Sequence, residues 1–242
     1  MQEINNDEQK FLKQMKLKMS NHSAMNHEFL IRFEKEVLSI KSLRKFGVQW
    51  YKTAKKHKEA FPAIIYNVKD DDIRFDLIEI LNEEYGTGDR TKIHARLLQK
   101  FLRALNVSDE DVENTETLPE VKVFGNEVLN IWKDGNEVYA FGLHFALEYL
   151  ASSLHCHFSN GLEKYDFLSK SDREYFNFHK VAEVQHADFS ENGMLIYGKT
   201  EENRKLLRKG VEKGVELMQM LWDSFYQHIF VEVDQKQVAI AA

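Results

Sequence analysis

"VYAFGLHFALEYLASSL", residues 138–154, is the longest apolar run in the chain, and its reading decides the fold. It is about as long as a short membrane span. Yet His144 and Glu148 stand near its centre, at i and i+4. A charged carboxylate there is costly unless it is paired or coordinates a metal. The run therefore reads as the buried core helix of a helical bundle.

Outward from this run, helical spacing dominates over strict alternation. Eight segments carry it: 26–39, 42–68, 70–86, 89–107, 120–135, 137–158, 169–198 and 200–230. Phe29, Leu30, Phe33 and Val37 share one side of the first. The second contains Pro62, where a bend is expected. The third starts with acids and ends at Gly86, and Asp89 is placed to cap the fourth. Residues 108–119, "SDEDVENTETLP", read as a polar connection. The fold class is all-α, one bundle of seven to eight helices spanning 24–230. Residues 1–23 form an N-terminal extension and 231–242 a C-terminal tail.

The chain has 242 residues, enough for one sizeable core, with ordinary hydrophobic (43%) and charged (30%) fractions. A formal net charge of −6 disfavours nucleic acid as a partner. The basic run Lys52, Lys55, Lys56 and Lys58 reads as a solvated helix face. A single cysteine, Cys156, excludes an intramolecular disulfide and fits a reducing compartment. The N-terminal stretch lacks the apolar core of a signal peptide, so a cytoplasmic protein with no membrane contact is expected.

Three clusters carry chemistry. In "HKVAEVQH", residues 179–186, His179, Glu183 and His186 fall at i, i+4 and i+7. On a helix they lie within roughly a 60° arc, the outer two about 10 Å apart along the axis. One metal does not easily take both histidines; two metals about 3.5–4 Å apart can, with Glu183 between them. Mutual hydrogen bonding would satisfy the same groups without metal. His144 and Glu148 repeat the device in the apolar helix, with His155 on a similar face. His144 and His155 suit supporting or core roles. Glu84 and His94 flank the Gly86-Thr87-Gly88 turn; alone, Glu84 reads equally as a solvated helix end.

Other metal arrangements fit less well. Ferritin-like bundles need two Glu-x-x-His motifs, and only Glu183/His186 has that spacing. The His-Glu-x-x-His of zincins is absent. A nucleophilic Cys156 flanked by His155 and His157 is the main non-metal alternative, but sequence neighbours on a helix point in different directions.

On these residues the chain resembles the haem-oxygenase-like diiron oxidases and oxygenases, a group within the superfamily of pyrroloquinoline-quinone synthase and thiaminase II. The resemblance spans roughly residues 25–230. Glu84, His94, Glu148, then His179, Glu183 and His186 match the order and spacing of the group's ligands, with Glu183 where many members have Asp. It implies a bundle holding two Fe2+, or a mixed manganese–iron pair, with O2 as co-substrate. Glu59 matches an additional carboxylate that some members use. Substrates in the group are small molecules, often amino acids or fatty acids, and outcomes include N-oxygenation, C–C cleavage, decarboxylation and nitrile formation. One branch makes p-aminobenzoate from its own tyrosine, helped by a lysine ten residues past the middle Glu. Here that position is Phe158, and "HEFLIRFEK" has no tyrosine, which disfavours that route.

The expected function is thus O2-dependent diiron oxidation of a small, amino-acid-like substrate, with a homodimer as an allowed assembly. The alternatives are a metal-free thiaminase-like or cofactorless oxidase, and a helical interaction protein with a buried polar network.

Overall fold

The computed structural model describes residues 6–231, apart from the side chains of residue 6 and residues 182–187. Among the described residues there are ten α-helices and no strand, so the all-α expectation holds. The eight helical segments read from the sequence each correspond to one helix. The count exceeds seven or eight because two more form. One is α1 (Asn6–Ser20), within the segment expected as an extension. It buries Phe11, Leu12, Met15 and Met19 and packs on the bundle. The other is α6 (Asp109–Asn114), within the expected polar connection. Ser108 starts it with a capping box: its hydroxyl accepts from the Asp111 N–H, while the Asp111 carboxylate accepts from the Ser108 N–H.

The apolar run becomes α8 (Glu137–Leu162), capped by Asn136, whose side chain accepts from the N–H groups of Val138 and Tyr139. Val138, Phe141, Leu143, Phe145, Leu147 and Leu150 are all buried, on every side of the helix. Such a helix needs neighbours all round. It finds them in α9 (Glu174–Tyr197), α10 (Glu201–Tyr226) and α2 (Glu28–Lys35). No helix among the described residues is long and apolar enough to cross a membrane.

A second layer is built on α3 (Ile40–Asn67), which packs on α7 (Pro119–Asp134) and α5 (His94–Ala104). The helix continues through Pro62, which has no N–H to return to the Lys58 carbonyl. Phe29, Phe33, Phe46, Phe158, Trp222 and Phe225 join α2, α3, α8 and α10, with Phe33 and Phe46 centroids 4.4 Å apart. Each is essentially fully buried, a gain of about 1.5–3 kcal/mol per ring.

The tightest backbone approach is between α8 and α10. A Cβ on Gly210 would collide with the Tyr139 carbonyl, and one on Gly142 with the Leu207 carbonyl. Gly210→Ala is therefore expected to cost about 1–3 kcal/mol, as overpacking generally does. Urea unfolding measures it; an unchanged midpoint would mean that the two helices have room to spare.

Candidate metal centre

The site begins at a turn. Helix α4 (Asp71–Glu84) ends at Glu84, and α5 begins at His94. Between them Gly86, Thr87 and Gly88 have φ of 84°, 47° and 88°. Gly86 tolerates this region at no steric cost, and a Cβ there would also strike the Asp89 carbonyl. Asp89 does not cap α5 as expected. It caps the single 3-10 turn Arg90–Lys92, accepting from the Thr91 N–H at 2.8 Å, because the chain needs one more tight turn before the helix axis reverses. The result places His94 Nδ1 2.9 Å from Glu84 Oε1.

The third group arrives from α9. His179 is 3% exposed, and its Nδ1 lies 2.8 Å from the Tyr175 carbonyl oxygen. A carbonyl only accepts, so Nδ1 carries the proton. Burial pushes the His179 imidazole below its ordinary value, opposed mainly by Glu84, so near neutral pH the ring keeps that one proton. Its Nε2 lone pair then faces Glu84 Oε1 at 3.4 Å. Burial works to raise the Glu84 carboxyl, but the charge of His94 and the facing His179 ring outweigh it and hold the group well below the usual carboxylate range. An ionised oxygen and a nitrogen lone pair face each other stably only with a cation between them.

The donor set fits a metal. One ligand atom from each of Glu84, His94 and His179 lies within 4.8 Å of the others. Metal bonds to such donors are about 2.0–2.2 Å, so neighbouring donors on one ion stand roughly 3.0–3.4 Å apart. Imidazole with carboxylate suits iron, manganese or zinc.

Glu148 lines the same cavity of about 90 Å³ as these three residues. It is 5% exposed, and its Oε1 lies 3.7 Å from His144 Nδ1. His144 in turn reaches Ser190 with Nε2 at 3.4 Å, so it sits behind Glu148 in the supporting place expected for it. His155 lines the cavity and stacks on His179, with centroids 4.4 Å apart. Four of the six expected ligands thus meet at one cavity. The other two, Glu183 and His186, belong to α9, but their side chains lie outside the described residues.

Three expectations drawn from sequence are corrected or closed. Glu59 is at the surface, 3.9 Å from Lys55, and away from the cavity walls, because it lies on the solvent side of α3. Cys156 is half-buried and does not line the cavity, as its position beside His155 on a helix dictates. The basic run is not wholly a solvated face: Lys58 is half-buried and lines the cavity.

Sequence reasoning also missed His57 and Tyr175. His57 sits deep in the protein, with its ring on Phe61 and Trp132 and its buried Nε2 without a hydrogen-bond partner. Burial lowers its pKa, against the pull of Glu148 and Glu84. Its signal was present: Trp50, Ala54, His57 and Phe61 follow one apolar stripe, hidden by the lysines around it. Tyr175 precedes His179 by one turn, and their ring centroids lie 4.2 Å apart.

The sequence profile of a family described as iron-containing redox enzymes matches residues 44–219, well over half of the chain. A 4-aminobenzoate synthase of Chlamydia trachomatis is 26% identical over 219 residues, covering 89% of each chain. Among solved structures, a CADD-like protein of unknown function from Nostoc punctiforme matches with a TM-score of 0.77 at 16% identity, over 93% of this chain and 99% of the other. A TenA homologue from Pseudomonas syringae matches at 0.73 and 14%, over 90% and 92%. A domain from Shewanella denitrificans described as having a haem oxygenase-like fold matches at 0.67 and 15%, over 90% of each. The fold is accordingly haem-oxygenase-like, as the resemblance implied.

Glu84→Ala removes the carboxylate that both imidazoles face. After anaerobic reconstitution it is expected to hold no more than half the iron of the wild type by elemental analysis. Wild-type iron content in this variant would remove Glu84 from the site.

Proposed function

This chain belongs to the iron-containing redox enzyme family, and from that premise we propose that it is a non-haem diiron oxidase or oxygenase that uses O2 to oxidise a small organic substrate. The observation that carries the reading is the His179 Nε2 lone pair aimed at the ionised Glu84 oxygen, with His94 Nδ1 beside them. Glu84, His94 and His179 would hold one iron, and Glu148 with Glu183 and His186 the second. Bound ferrous iron would supply the electrons that make O2 reactive. A mixed manganese–iron pair satisfies the same donors.

The protein's own part is position and exclusion. The Tyr175 carbonyl holds the His179 ring in one tautomer and one orientation. His144, braced by Ser190, stands behind Glu148. Trp50, Phe61, Leu147 and Leu221 wall the cavity with apolar surface and leave little room for bulk water. The expected readout is two equivalents of ferrous iron per chain in an anaerobic titration, falling to one in Glu148→Ala, with O2 uptake lost in that variant. One equivalent or none in the wild type would sink the diiron reading.

A second reading is 4-aminobenzoate formation at the expense of the chain's own tyrosine. The name of the Chlamydia relative favours it, and Tyr175 against His179 supplies a tyrosine at the site. Against it, Phe158 occupies the expected lysine position, inside the aromatic core. Intact-mass measurement separates the two. On exposing the ferrous protein to O2 without substrate, the chain mass is expected to stay unchanged; a loss mapped to Tyr175 would favour the second reading.

A further inference from the structure

Lys58 is the one cavity-lining group whose placement the iron reading leaves unexplained. Its ammonium is half-buried and has no carboxylate or hydrogen-bond partner among the described residues. Its neighbour one turn earlier, Lys55, is paired with Glu59. The contact Lys58 does make is with the face of Tyr85, Nζ lying 4.8 Å from the ring centroid. A cation–π contact offsets part of the cost of desolvating an ammonium and leaves its hydrogen-bonding capacity unused. Buried charges are ordinarily paired. The missing partner is an anion that enters the cavity.

The remaining walls define the rest of that anion. Trp50, Phe61, Leu147, Leu154, Met218 and Leu221 present apolar surface. The acids on the cavity walls are Glu84 and Glu148, among the described residues. In the iron reading, on which this inference rests, both are committed to metal. No acid is then left over to receive a substrate ammonium. Of the carboxylates acting on Lys58, Glu84 pulls hardest, so the ammonium stands toward the metal end of the cavity.

We propose that Lys58 is a specificity-determining residue: its ammonium anchors the carboxylate of a small monocarboxylic acid, whose apolar body lies against the cavity walls. The substrate's acid end is then the part held nearest the metal centre. An uncharged or apolar α-carbon suits the cavity better than the ammonium of an amino acid, which narrows the amino-acid-like expectation.

The test uses the full chain, loaded with ferrous iron under argon, with iron quantified in every sample. The probes are straight-chain monocarboxylates of four to ten carbons and 3-phenylpropanoate, each with its primary amide, and phenylalanine. Calorimetric titration gives the affinities. At least one acid is expected to bind tenfold or more tightly than its amide, and 3-phenylpropanoate more tightly than phenylalanine. Lys58→Met should bring the acid-to-amide ratio to within about twofold of unity with iron content unchanged. Lys58→Arg should keep the preference, and Lys55→Met should not alter it. A wild type that prefers no acid tenfold over its amide overturns the proposal. So does a Lys58→Met variant that keeps the preference, and with iron still bound that result leaves the iron reading intact. A Lys58-dependent preference in a chain that binds no iron supports the anchor and overturns the iron reading instead.

Discussion

A buried carboxylate facing an imidazole lone pair is unstable without positive charge between them, and Glu84 and His179 are held in that relation. The bundle is arranged to maintain it. A left-handed turn returns the chain so that α5 opens beside the end of α4, and α9 brings His179 from a distant part of the sequence. Removing an ion from water costs several kcal/mol even after relaxation. A chain that does so twice in one cavity, at Glu84 and at Glu148, spends stability on a site rather than on packing.

Helix α8 shows how that cost is accommodated. Its apolar faces supply much of the core, and the same helix carries Glu148, His144 and His155 into the cavity. The carboxylate therefore rides on the least mobile kind of element, packed on every side. His144 is enclosed by the rings of Phe61, Trp132 and Phe141, which fix its plane while it faces Glu148. Packing and ligand placement are thus one set of contacts here.

Much of this was legible from the residues alone. Polar groups inside an apolar helix must be satisfied, which marked Glu148 and His144. A repeated helical offset marked His179, and the glycine turn marked the pairing of Glu84 with His94. What stayed hidden has physical causes. His57 lies on the inward stripe of α3, but lysines on either side mask the periodicity. Lys58 carries no sequence mark at all, since a lysine at the border of an amphipathic helix can snorkel outward or turn in with equal backbone geometry. The two extra helices were missed because each is short or amphipathic over few turns, and each is decided locally or by docking: α6 by its capping box and α1 by four apolar side chains meeting the bundle.

The Tyr175 carbonyl has a double duty. As residue i−4 it is the natural acceptor for the backbone N–H of His179 within α9, and the same oxygen receives the ring proton of His179. Helix and chelator thus share a single atom. If the first turn of α9 frays, the imidazole is freed to rotate and to exchange tautomers at the same moment. Loss of order in eight atoms of main chain would therefore register at once as loss of affinity for the ion.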